Sequence, residues 1–254
     1  MRLNRAWGMG LLALAVGAAG YRLLPGRHPS GRYFDDERVV ELLRAAEKSN
    51  RAAITAALEA GADLDAVGND ADPRRTGISP LHYAVEFSSP EAVRLLLEAG
   101  ADPRAQSQEL NGGFCVPAYA VLRDATENLA VLLEHDPSLA DAPFRSFGNL
   151  LHGAVLHDRA AALRLLIDAG AELDSADPAT GRTPLHTAAN VRNVGACLTL
   201  VRAGADAGAR DIHGRTFLPV LFRNDERSSA EFLRVREELV RELQRRRFPV
   251  ETGL

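Results

Sequence analysis

Several residue types are scarce in this sequence. Lysine occurs once, at Lys48, tryptophan once, methionine and cysteine twice each, and aromatics make up 6% of 254 residues. So few aromatics, with Ala and Leu abundant, favour helices over an all-β fold. Cys115 and Cys197 cannot build a disulfide framework, no Cys-x-x-Cys occurs, and two thiols are too few for a structural zinc site. There is no Gly-x-Ser-x-Gly elbow, phosphate-binding glycine loop or His-Glu-x-x-His, so the sequence offers no recognisable catalytic machinery and no cofactor motif. A positive excess is missing too. Residues 1–30 hold four Arg and no acid, leaving the rest with twenty-six basic against thirty-four acidic residues, a balance of −8. An acidic body does not suit nucleic acid, whose phosphates need a basic surface. The near-replacement of Lys by Arg reads as codon bias.

What is present is a chain that is 46% hydrophobic and 25% charged, enough for a packed core. Arg2 and Arg5 precede an apolar stretch, 6–21, followed by Arg22, Leu23, Leu24 and a Pro/Gly-rich segment, 25–31. A charged start, a short apolar middle and small residues at Gly17, Ala18 and Ala19 resemble a secretory signal. Sixteen apolar residues fall just short of the roughly 20 that span a bilayer, and Leu23 and Leu24 extend the span if Arg22 snorkels. Residues 1–30 are therefore expected to be a signal peptide or signal-anchor plus linker, with residues 6–24 in the membrane if uncleaved. The remainder is expected to be inner-membrane-anchored or periplasmic.

Self-alignment yields a column at Ala45, Ala84, Ala120, Ala154, Ala188 and Leu221, with intervals of 39, 36, 34, 34 and 33. Sixteen residues beyond five of these stand Gly61, Gly100, Asp136, Gly170 and Gly204. A constant internal offset with variable outer spacing means a fixed helical pair joined by loops of changing length. Runs 92–98 and 162–168 carry apolar residues at helical spacing. Gly at their ends supplies a left-handed stop. First helices open at Ser79-Pro80-Leu81-His82 and Thr183-Pro184-Leu185-His186, with a capping hydroxyl and Pro in the first turn. Such a unit cannot bury its apolar face alone and must stack on neighbours.

These motifs, with Gly181-Arg182 before Thr183 and Ala-Gly-Ala-Asp at 99–102 and 203–206, resemble the ankyrin repeat family over about 39–254. The resemblance implies an all-α repeat solenoid, a helix-turn-helix-hairpin stack, here preceded by the N-terminal apolar helix. The expected units within 31–254 are 39–76, 77–112, 113–146, 147–180, 181–213 and 214–254. Departures are Leu43 where others have His, Ala118 for His and Asp136-Pro137 for Gly-Ala in the third unit, and Pro219 in the sixth. Ser228-x-x-Glu231 reads as a capping box opening a last helix, on which Phe232, Val235, Leu239 and Leu243 share one face.

The resemblance also assigns roles. His82, His152 and His186 are expected to hydrogen-bond the helix cap and neighbouring loop, not a metal. Cys115 and Cys197 are expected in the core, two units apart. A concave face of first helices and hairpins is expected to bind a protein partner through Glu86, Phe87, Leu122, Arg123, Leu156, His157, Asn190, Val191, Arg223 and Asn224, with Ile78, Arg182, Ile212, His213 and Arg215 from hairpins. Phe144, Arg145 and Phe147 are either exposed anchors in a loop or fold back over the irregular third unit. The function implied is a non-enzymatic interaction module, without cofactor or small-molecule substrate. The alternative is an accessory subunit supporting an envelope enzyme, or an inhibitor occluding an exported toxin.

Overall fold

The structure is a computed structural model that describes residues 28–69, 72, 75–108, 113–222 and 228–248. The expected N-terminal apolar helix, Arg223 and Asn224 lie outside the described residues. Helices come in antiparallel pairs: α1 (Glu37–Glu47) with α2 (Arg51–Glu59), α3 (Pro80–Phe87) with α4 (Pro90–Glu98), α5 (Val116–Arg123) with α6 (Thr126–His135), α7 (Leu150–Leu156) with α8 (Ala160–Asp168), and α9 (Pro184–Asn190) with α10 (Val194–Ala203). The one-turn α11 (Leu218–Leu221) and the long α12 (Ala230–Arg245) follow.

First helices form one row, α1 to α3 and on to α11, each packed on the next. Second helices form another, α4–α6–α8–α10–α12, and α4 also packs on α1. The core lies between the rows. Ala84, Ala120, Ala154 and Ala188, the repeated column, are all buried where first helices approach one another, and a methyl group there permits close backbone approach. The hairpins that join units are short, held by antiparallel bridges such as Gln106 to Cys115 and Pro143 to Asn149.

Local chemistry sets the boundaries. Gly61, Gly100, Gly170 and Gly204 all have positive φ after their helices. At Gly100 and Gly204 a Cβ would meet nothing within 4 Å, so backbone conformation alone demands the glycine. The third unit dispenses with one because Asp136 stays extended, with φ −146°, and caps a 3-10 turn over Pro137–Asp141. The last helix starts one residue later than its motif suggested. Ser229 Oγ accepts the Phe232 N–H at 3.1 Å, whereas Ser228 Oγ is engaged by Arg192 and Glu231 pairs with Arg234. The capping box at Ser228 is thus replaced by a simple cap at Ser229, and Leu239 and Leu243 close the stack against α10.

Candidate functional site

Three histidines tie successive units together. Nε2 of His82 lies 2.9 Å from the Phe114 carbonyl, and Nε2 of His186 lies 2.9 Å from that of Arg215. A carbonyl only accepts, so each Nε2 carries the proton and donates. Nδ1 then accepts: at His82 from the Ser79 N–H and hydroxyl at 3.3 and 2.8 Å, at His186 from those of Thr183 at 3.3 and 3.0 Å. His152 Nε2 donates to the Arg182 carbonyl at 3.0 Å, with Asn149 in the capping position. Burial pushes the His82 imidazole down to about 4 and that of His152 in the same direction. All three rings are buried.

The third unit has Ala118 in place of that histidine, and its joint is built differently. The Cys115 thiol points at the Pro143 carbonyl, 3.6 Å away, and Phe144 is 2% exposed. Its ring stands 5.2 Å from the Phe114 ring and covers Gly153 so closely that a Cβ there would come within 2.3 Å. Of the two placements open for this loop, Phe144 therefore takes the packed one and is corrected out of the binding set; Phe147 is 51% exposed. Arg145 lies between them in fate, its guanidinium 3.8 Å from the centre of the Phe114 ring. His157 caps α7 with its ring 5.7 Å from that of Phe144, and burial lowers its pKa. Cys197, like Cys115, is buried in the core.

A second cluster gathers on Glu86 at the end of α3. Arg75 Nε lies 3.0 and 3.1 Å from its two carboxylate oxygens, the Tyr119 hydroxyl donates at 2.5 Å, and Arg123 Nε stands 3.4 Å away. Arg75 also pairs with Asp72 and sits 5.4 Å from the centre of the half-exposed Phe87 ring. Glu86 and Arg123 thus neutralise each other's charge instead of offering it outward. Sequence reasoning missed Arg75 and Tyr119. Neither belongs to a repeated motif position: Arg75 lies in the connection from α2 to α3 and Tyr119 inside α5.

Arg182, Asn190 and Arg215 meet in a third place, a hollow of about 330 Å³ between α9 and the next hairpin, floored by Phe217, Pro219 and Val220. Arg215 is clamped to Asp211, its Nε and Nη2 at 3.1 and 2.8 Å from Oδ2. Those bonds, with the His213 and Arg215 N–H groups on Oδ1, hold the Asp211 carboxyl well below its ordinary pKa. His213 is exposed at the hairpin tip. Leu156, Val191 and Ile212 are exposed apolar residues on first-helix ends and a hairpin, whereas Ile78 is completely buried and is corrected to a core residue. It sits under the first connection, where Gly68 donates to its carbonyl.

A sequence model of the family described as ankyrin repeats (three copies) matches residues 35–107 and 118–211. The human neurogenic locus notch homolog protein 2 is 33% identical over 65% of this chain, which spans only 6% of that protein's length. Human B-cell lymphoma 3 protein is 32% identical, over 64% of this chain and 42% of its own. Protein PhlB of Serratia liquefaciens is 32% identical over 75% of this chain and 80% of its own. Among solved structures, the ankyrin repeat domain of Bcl-3 superposes with a TM-score of 0.62 at 27% identity, covering 80% of this chain and 85% of that one. Helix pairs stacked in two rows, joined by hairpins and stitched by cap histidines, accord with these likenesses: the chain belongs to the ankyrin repeat family.

Proposed function

We propose that this protein is a non-enzymatic binding module of six helix-pair units, tethered at or exported across a bacterial-type inner membrane by residues 1–30, that captures a protein partner on its hairpin face. Ankyrin repeats are protein–protein interaction modules, which supports the general reading. The observation that carries the placement is the distribution of exposed apolar side chains. Besides Val67 and Leu233, the exposed large apolar residues are Phe87, Leu156 and Val191 at the ends of α3, α7 and α9, and Phe147 and Ile212 in the hairpins that lead into first helices. Each of the five remains 42–64% exposed, and grouped exposed apolar side chains mark an interaction surface. Aromatic and Arg neighbours, among them Arg182 and Arg215, add the groups that dominate interface energies.

The tether rests on the sequence of residues 1–30; among the described residues no helix is long and apolar enough to cross a membrane. A periplasm-active reporter fused after Ser30 is expected to be active, and activity only from a cytoplasm-dependent reporter overturns export. For the binding face, changing Phe147, Val191 and Ile212 together to Glu should abolish partner capture while thermal melting stays unchanged. Retained capture would overturn the placement.

A further inference from the structure

Resting on that reading of the hairpin face, we propose that the hollow between α9 and the following hairpin is an acceptor site for an acidic side chain of the partner, a Glu or Asp flanked by apolar residues. The hollow has a built shape, about 330 Å³, with Arg182 and Asn190 on one wall and Arg215 and Thr216 on the other. Its charge is unbalanced. Asp211 is buried and spends all its accepting capacity on Arg215 and the hairpin's own N–H groups. The side chain of Arg182 makes no hydrogen bond or ion pair with any described residue.

Several neighbouring arginines are paired with acids, Arg75 and Arg123 on Glu86, Arg159 on Asp124 and Arg215 on Asp211, and Arg210 is held by the Gly214 carbonyl. Arg182 thus leaves one net positive charge in the hollow, which the half-exposed Arg215 also lines. A guanidinium lining a concavity suits a carboxylate, which two parallel N–H donors can hold in one plane. The rim fixes what flanks the carboxylate. Ile212 is 64% exposed and stands against Gly181, where a Cβ would lie 3.1 Å from Ile212 Cγ2, and Val191 is exposed just beyond Asn190.

The test measures fluorescence anisotropy of the full chain with three labelled octapeptides that alternate Glu with Leu, Gln with Leu, or Lys with Leu. The Glu peptide is expected to bind at least about tenfold tighter than the Gln peptide, as a charge-assisted pair does relative to a neutral one. Arg182→Gln is expected to erase that preference, and Arg164→Gln, on exposed α8, to leave it intact. Equal binding of all three peptides, or a preference that survives Arg182→Gln with unchanged melting, overturns the proposal. So does Arg182-dependent binding to anionic phosphatidylglycerol vesicles in the absence of peptide binding, which would assign the hollow to a headgroup. If the Glu preference is absent while the Phe147/Val191/Ile212 variant still loses its partner, the acidic-acceptor inference alone has failed. If that variant keeps its partner, the reading of the face has failed instead.

Discussion

At the scale of single residues, burial separates side chains that look alike in the sequence. Phe144 and Phe147 stand three apart in one loop, yet Phe144 is 2% exposed and Phe147 51%. Phe144→Ala is expected to cost about 3–5 kcal/mol in unfolding measurements, the cost of an emptied aromatic site. Phe147→Ala should stay within about 0.5 kcal/mol. Equal effects would contradict the packing of that loop. The glycine under the ring supplies a partner test: Gly153→Ala should destabilise despite alanine's better helix propensity, because its methyl collides with Phe144.

Histidine behaves by the same rule. His82 has a folded-state pKa of about 4, below the roughly 6.5 of an unfolded chain. Between those values the unfolded state binds more protons, so stability is complete above about pH 6.5 and falls as pH drops toward 4. The loss for this one ring is about 3 kcal/mol. Melting temperatures should therefore fall between pH 7 and pH 5, and His82→Asn should flatten the decline. At His186, removing the ring leaves the Arg215 carbonyl unpaired, and His186→Ala should cost about 1–3 kcal/mol.

At the scale of elements, helix existence was legible and helix ends were less so. The Ser-Pro-Leu-His and Thr-Pro-Leu-His openings and the Gly stops mark α3, α9, α4 and α10 within a residue, because cap and left-handed stop have fixed chemistry. The start of α12 was misread by one position, since Ser228 and Ser229 are adjacent and only the backbone decides which faces the orphan N–H groups. Ser229→Ala should lower stability by about 1 kcal/mol and Ser228→Ala by far less, measured by denaturant unfolding. The Phe144 loop was unreadable for a different reason. Its burial depends on a gap opposite Gly153 in another element, and no local pattern records that. The Glu86 cluster shares this property: Arg75, Glu86, Tyr119 and Arg123 come from one connection and two helices, and only stacking brings them together.

At the scale of the whole molecule, stability is a chain of nearest-neighbour joints. Ion pairs such as Arg51 with Glu98, Arg94 with Glu134, Arg104 with Asp136 and Arg202 with Glu238 cross from one unit to the next. These pairs are exposed and each contributes little; the buried cap histidines and the Phe144 plug hold the register. With register held by buried groups, the hairpin face is free to carry exposed Phe87, Phe147, Leu156, Val191 and Ile212. The proposed protein partner sits on this face. The most direct measurement replaces Phe147 or Val191, and separately the opposite-face residues Glu98 or Arg164, with a photo-cross-linking amino acid in the native cell, followed by mass spectrometry of the adducts. One and the same protein is expected to be cross-linked from Phe147 and Val191 and from neither Glu98 nor Arg164. Adducts from Glu98 and Arg164 with none from the hairpin face would contradict it.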